Sequence, residues 1–475
     1  MEFNLMASEP NTVLVGFGSA DLNAALPSDR PVRDEIQVNV VFLRQGNLAC
    51  CWAVLDFMDF DRLAITQIKN TVATECRLAV EHIHLLTTHN HGAGEVEILN
   101  IAVIAAATVT AVKTGMATAV PARLRYGQAI IPEPLNYLRR QEVEMLGGCS
   151  TFFFGPCAAN GFNGAEFLQY QLDRLQTRHE MVYCGRSESA ASAVSCFPPI
   201  DLRMRPGYRT VAALLFERDD GTVIGTICRY AAHAVCCNRP EYYSSDYPLQ
   251  VRRYITAQLG GITVFMNGPC AEIAPAIPDK NSGGEVYLGE RIGRAAVAML
   301  RECPLQPLTF LADRSDEVVL PIRPDLPTVE EASSERKRLA EKLASGRNLS
   351  LPEIKIIAER INFLNTADFL RKKWQNGEAE KTLCQRQIAG RIGRLTLNNI
   401  TVLALPGETF SATAETIRNR AELPALITVT EHDRTLMYLV PEKEYTRGGY
   451  ETTCCLAAFR AESILIDAVV AFLRR

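Results

Sequence analysis

Short runs rich in Val, Ile and Leu alternate with helix-length segments along most of the chain, and this alternation restricts the fold more than any other feature. Residues 12–15, 37–43 and 51–56 read as strands, 59–75 as a helix, 82–88 as a strand and 95–113 as a helix. Residues 209–217 and 222–230 are strand-like and joined by Asp219-Asp220-Gly221, a strong hairpin signal. A strand at 262–266, a helix at 284–301, strands within 394–405 and a closing helix at 457–473 continue the pattern. Such an order predicts the α/β class, with a large mixed β-sheet core flanked by helices. The stretch 329–373 is charged and lacks strand-like runs. It predicts two helices packed as a hairpin, with a turn near Gly346 and Pro352. The expected organisation is one domain over 1–475 with a helical insertion at 327–380. Residues 130–163, richer in Gly, Pro and aromatics, predict a surface excursion, followed by an amphipathic helix at 165–177.

Composition narrows the partners. With 47% hydrophobic and 22% charged residues, the 475-residue chain can bury a large core and has the balance of a soluble globular protein. The net charge is −4 and its lysines and arginines are dispersed, so nucleic acid is not an expected partner. Residues 1–12 lack a basic start followed by an apolar core, which argues against a signal peptide. No apolar run reaches the roughly 18 residues needed to span a bilayer. The richest, 101–112, has the length of a buried helix. A cytoplasmic protein without a transmembrane segment is the expectation. The 15 cysteines agree with it: the number is odd, several are adjacent and no CxxC occurs, so they read as small buried hydrophobes in a reducing compartment.

Histidine is scarce, with seven residues, and four fall between 82 and 91. His89 and His91 follow a strand in Thr87-Thr88-His89-Asn90-His91-Gly92. Residues two apart in extended chain face the same way, and the glycines beyond leave the rings accessible. His82 and His84 share the spacing but sit earlier in the strand, where packing is the expected role. His233 also follows a strand, and Asp246 further on suits either an imidazole N–H or a helix start. Glu408, in Leu405-Pro406-Gly407-Glu408, stands at a strand-to-helix corner, either as a helix-start acid or as an anionic ligand at the mouth of the sheet. Two imidazoles and a carboxylate form the set that catalytic zinc prefers, with a position left open for chemistry.

Taken in order, these pieces resemble the neutral/alkaline non-lysosomal ceramidases. Thr88-His89-Asn90-His91-Gly92 is similar to that family's T-H-T-H-S-G, and Tyr230 to His233 with Ser245-Asp246 to its second histidine and following S-D. Gly268 to Pro275 stands where the family carries G-D-x-[SN]-P, and Leu405 to Glu408 matches L-P-G-E. Tyr438 to Tyr445, with Gly449-Tyr450-Glu451, resembles the late signature. The resemblance implies Zn2+ bound by His89, His233, Glu408 and Tyr438. It also implies His91 and Tyr450 as donors to an oxyanion and, by a weaker match, Arg186 in the pocket.

Two departures redirect the expected reaction. Ala274 occupies the position of the family's serine nucleophile, and Glu272 replaces its aspartate. Alanine cannot form an acyl intermediate. The expected organisation also lacks the family's C-terminal sandwich domain, so ceramide itself is not the expected substrate. The leading expectation is a zinc-dependent hydrolase that cleaves an amide (N-acyl) bond through metal-activated water. Ester or lactone chemistry on a small polar metabolite, including cyclisation by a substrate hydroxyl, is the alternative. A non-catalytic metal-binding homologue is the third reading.

Overall fold

The computed structural model describes residues 12–94, 98–143, 147–150, 207–237, 241–276, 283–344, 351–373, 385–433 and 436–475. Arg186 and the segment 165–177 lie outside them. The first sheet holds β1 (Leu14–Asp21), β2 (Gln37–Gln45), β3 (Leu48–Leu55), β4 (Ile83–Thr87) and the short β5 (Val120–Pro121), in the order β4-β3-β2-β1-β5. Next in the chain come β6 (Arg123–Ile130), β7 (Asn136–Leu138) and the hairpin β8 (Arg140–Val143) with β9 (Gly147–Ser150). β10 (Thr210–Glu217), β11 (Val223–Tyr230), β12 (Ile262–Asn267), β13 (Ile273–Pro275) and β14 (Gln306–Pro307) follow, giving a second sheet ordered β12-β11-β10-β6-β14. A third sheet pairs β15 (Leu311–Pro321), β16 (Gln387–Leu397), β17 (Ile400–Ala404) and, beyond β18 (Glu408–Thr409), β19 (Ala425–Val429). The expected large mixed sheet is thus divided into several.

The three sheets share one design. Each has antiparallel neighbours and then one parallel pair made by a helical crossover: β3 to β4 through α1 (Arg62–Cys76), then, beyond α2 (Ile101–Thr118), β11 to β12 through α3 (Asp246–Leu259). In the third sheet the crossover helix between β17 and β19 is Ser411–Ala421. The inner faces meet in a single cluster that includes Phe17, Val41, Trp52, Leu214, Phe216, Ile227, Val264, Leu395 and Ile427. On the outside, α1 and α2 cover the first sheet, and α3 with α4 (Gly284–Glu302) covers the second. The third is packed by α5 (Val329–Ala344), α6 (Leu351–Lys373) and the C-terminal helix Ala461–Arg474. Numbered in chain order, the crossover helix Ser411–Ala421 is α7; Glu442–Tyr445, Tyr450–Thr453 and Ala461–Arg474 are α8, α9 and α10.

Local chemistry sets several boundaries that periodicity misplaced. The Asn100 side chain accepts from Val103 N, so α2 starts at Ile101 rather than near residue 95. It then runs 18 residues to Thr118, which makes it long and apolar enough to cross a membrane by those measures. Here it lies directly on β1: a Cβ at Gly16 would fall 1.9 Å from Gly115 O, and one at Gly18 equally close to Ala111 O. The apolarity of α2 therefore serves close packing on a sheet. The 394–405 stretch is two strands, broken at Asn398, whose φ of 54° turns the chain back. The described thiols are unbridged, and burial pushes those of Cys50, Cys51, Cys236 and Cys237 up.

Candidate metal centre

Parallel strands point their carboxyl ends the same way, and in α/β sheets ligands gather there. Here the ends of the parallel pairs from all three sheets converge. His89 follows β4, His233 follows β11, Glu408 follows β17, and Glu431 follows β19. Tyr438 arrives on β20 (Tyr438–Leu439), which pairs in parallel with β18 so that Tyr438 stands opposite Glu408. All of these side chains are buried.

The histidine segment is held from several sides. Asn90 donates from Nδ2 to Asp56 O and Ser244 O, while its Oδ1 accepts from Gly92 N. His91 N donates to Ala234 O. The backbone is not extended, as the spacing suggested. His89 has φ of 55°, a left-handed conformation costly for a non-glycine residue, and His91 opens a short 3-10 turn. The two rings still meet, edge to face, with Nε2 atoms 3.3 Å apart.

The donor set carries the argument for a cation. His233 Nδ1 lies 3.0 Å from Ile273 O and His89 Nδ1 3.2 Å from Met58 O. A carbonyl only accepts, so each Nδ1 is a protonated nitrogen, and in the neutral ring each Nε2 presents a lone pair. Those lone pairs face Glu408 Oε2, at 3.1 Å from His233 and 3.4 Å from His89. Tyr438 Oη is 3.4 Å from His233 Nε2. Acceptors crowded in a buried space repel one another unless a proton or a cation lies between them. Tetrahedral zinc with ligands at about 2.0–2.1 Å would hold neighbouring donor atoms about 3.3 Å apart, close to the spacings observed. The residues present therefore fit zinc. His89, His91 and His233 also form a group of three that could hold a metal, which makes His91 a further candidate ligand.

The ionisation tendencies follow the same crowding. Burial works against the imidazolium of His89, but Glu408 and Glu431 outweigh it and raise its pKa to about 9. Burial and the neighbouring Arg139 push His233 down to about 4, and burial with two adjacent imidazoles holds His91 well below the usual range. Glu431, its Oε1 buried without a hydrogen-bond partner 3.8 Å from His89 Nδ1, is pushed up by burial to about 8. A carboxylate behind the imidazole is the arrangement that orients a metal-binding histidine.

Arg139 is the residue that sequence reasoning missed. Its Nη2 donates to Tyr438 Oη at 2.7 Å and to Ala271 O, and its Nε pairs with Glu451 at 3.0 Å. Its guanidinium lies 5.5 and 5.8 Å from the ring centres of Tyr438 and Tyr450. Burial raises the Tyr438 pKa, while Arg139 works in the opposite direction, favouring the anionic oxygen. No local motif marks it, because Arg139 follows β7 in the irregular stretch. Glu431 was better signalled: Glu431-His432-Asp433 is a titratable triplet directly after an apolar strand. We expect Arg139→Gln to lower kcat/KM by about 10²-fold, the size of effect seen on removing one aimed charged donor. Steady-state kinetics with metal content measured in parallel checks this; unchanged kcat/KM would assign Arg139 to packing alone.

The other singled-out residues fall as follows. Tyr450 is half-buried, its ring 5.7 Å from that of Tyr438. Ala274 lies on β13 opposite Tyr137, one residue after the carbonyl that His233 Nδ1 contacts. Asp246 has no imidazole partner among the described residues: its carboxylate accepts from Cys237 N and Tyr247 N at the start of α3. Glu272 accepts from Ser411 N and Oγ at the start of α7. His82 and His84 bind Asp313, away from the centre.

No protein-family model matches the chain, and no curated protein matches it. Solved structures do. Neutral ceramidase from Pseudomonas aeruginosa aligns over 98% of this chain and 75% of its own, with a TM-score of 0.62 at 14% identity. The chain has the neutral ceramidase fold. A structure of a ceramidase complexed with C2 gives a TM-score of 0.63 at 12% identity, over 97% of this chain and 75% of that one. Within this ceramidase fold, the histidine cluster occupies the carboxyl ends of the parallel strands.

Proposed function

We propose that this chain is a zinc-dependent hydrolase acting on an amide, N-acyl bond. The observation that supports it most is the convergence of His89 Nε2, His233 Nε2, Glu408 Oε2 and Tyr438 Oη within a ceramidase fold. Zinc held by these four groups would polarise a carbonyl and acidify a water molecule. His91 stays neutral, so its imidazole can donate a hydrogen bond to the oxygen of a carbonyl under attack without adding charge to the ground state. Tyr450, whose ring lies 5.7 Å from that of Tyr438, is the candidate for a second donor. Arg139 holds the Tyr438 oxygen in place and balances its developing charge. Ala274 offers no hydroxyl, so water rather than a side chain at this position is the nucleophile, and no acyl-enzyme accumulates there.

The test is a turnover screen of N-acyl substrates against lactones and esters, with zinc stoichiometry measured on the same preparations. Amide cleavage without burst kinetics is expected. Turnover of lactones with none of amides would sink the amidase reading, while zinc-free protein with full activity would sink the metal reading.

A further inference from the structure

Glu451 follows Tyr450 on α9 and is fully buried. A carboxylate taken wholly out of water stays charged only where cations and hydrogen-bond donors surround it. Here the guanidiniums of two consecutive residues share it: Arg139 Nε donates to Oε1 at 3.0 Å and Arg140 Nη1 to Oε2 at 3.3 Å. Both arginines are buried as well. The two carboxylate oxygens thus face different arginines, and those arginines hold different parts of the chain.

Arg140 is tied to the segment that joins α8 to α9. Its Nε donates to Glu444 Oε2 at 2.8 Å, and its Nη2 donates to Glu444 O at 2.9 Å and Gly448 O at 2.6 Å. Gly148 and Gly449 stand against the same guanidinium, where a Cβ on either would clash with it. Gly148 N donates to Arg447 O, and Gly449 N donates to Glu359 on α6. These contacts engage Nε, Nη1 and Nη2 of Arg140 at once, which leaves it and the carboxylate it holds little freedom. Arg139 reaches the other way. Its Nη2 donates to Tyr438 Oη at 2.7 Å and to Ala271 O. A guanidinium is planar, so fixing Nε and Nη2 together sets where the whole group lies.

We propose that Glu451 is a positioning residue for the metal centre: held from behind by Arg140, it aims the Arg139 guanidinium at the Tyr438 oxygen. The inference rests on the reading of Tyr438 as a zinc ligand. Charges of alternating sign then run from the half-buried Glu444 through Arg140, Glu451 and Arg139 to Tyr438. The short helix α9 contributes to the site twice, through Tyr450 and through the carboxylate that orders its neighbour. Partners one step out from a metal ligand fix its orientation, and their loss typically costs about 10–100-fold in metal affinity or activity.

The experiment measures the zinc affinity of the full chain by competition with a chelator, placing Glu451→Gln in three backgrounds: the parent, Arg139→Gln and Tyr438→Phe. In the parent, Glu451→Gln is expected to weaken zinc binding about 10-fold. On Arg139→Gln it should weaken binding by less than about 2-fold further, because both changes remove the same contact. On Tyr438→Phe, which has no oxygen for Arg139 to hold, the effect should be equally small. Equal losses in all three backgrounds would mean that Glu451 supports the fold generally, and would overturn the proposal, as would unchanged affinity in the parent background. A parent that binds no zinc overturns the metal reading and the proposal with it, whereas zinc in the parent with additive losses overturns the proposal alone. Should Glu451→Gln not fold, Glu451→Asp decides. It keeps the charge but withdraws the carboxylate by one methylene, and the same loss in the parent with no further loss on Arg139→Gln is expected.

Discussion

Glu408→Gln is expected to reduce bound zinc from about one ion per chain to near none, because a neutral amide is a poor replacement for an anionic ligand. Glutamine preserves the volume and burial of Glu408 but removes the charge that both His233 Nε2 and His89 Nε2 face. His89→Ala should have the same effect, leaving Glu431 behind it without its imidazole. With the ion lost, kcat/KM is expected to fall by on the order of 10³-fold or more, about 4 kcal/mol of transition-state stabilisation. Elemental analysis of dialysed protein gives the first quantity and steady-state kinetics the second. Stoichiometric zinc in both variants would sink the ligand assignment. His91 separates two versions of the site. If it acts on the substrate, His91→Ala retains zinc and loses rate; if it is the third imidazole ligand, zinc is lost as in His89→Ala.

The second large effect lies in the core, on stability. Asp313 on β15 is fully buried and accepts from three side chains: Trp52 Nε1 at 3.0 Å, His82 Nδ1 at 2.8 Å and His84 Nε2 at 3.1 Å. His432 Nδ1 donates to Arg391 O, so its Nε2 must accept, and it does so from His84 Nδ1 at 3.0 Å. His84 thus bridges His432 and Asp313 through its two ring nitrogens, stacked on Trp52 with ring centres 4.4 Å apart. Burial pushes His432 down to about 3, which keeps it neutral as this bonding requires. Asp313→Asn leaves these three donors without their anionic acceptor and should cost about 3–5 kcal/mol, the usual result of breaking a buried charged network from one side.

The pH dependence follows from two opposite shifts. Burial alone would raise the Asp313 carboxyl, but His84, His82 and Trp52 outweigh it and hold it well below the carboxylate range. Its contribution is present above the unfolded value of about 4 and is lost as pH falls through the folded value. The hydrogen bond to Asp313 raises His82, so that contribution is present below about 6.5 and is lost as pH rises through the folded value. The gap between parent and Asp313→Asn should therefore be widest between about pH 4 and 6.5. Urea unfolding across that range, with zinc content as a control, measures it. A difference under about 1 kcal/mol at pH 5.5 would mean that the network is not ionic.

What the sequence determined on its own was mostly local. Runs rich in Val, Ile and Leu place β2, β3, β10 and β11 to within a few residues, because strands buried on both faces read as short continuous apolar runs. β15 escaped, since its run Asp313 to Glu317 is charged at every position but Ser315 and looks like a loop; Asp313 is buried because three donors from other elements meet it. His89, His233 and Glu408 were legible as residues that follow apolar strands. Their meeting was implied by the resemblance alone and not by spacing, because it depends on three crossover connections that aim the strand ends at one point. His91 shows the limit clearly: its facing His89 was expected from extended backbone, yet it results from a left-handed residue followed by a tight turn that Asn90 holds in place. Arg139 lies beyond sequence reasoning for the same reason. Charge and burial are properties of neighbours, and only the tertiary structure decides which neighbours a side chain has.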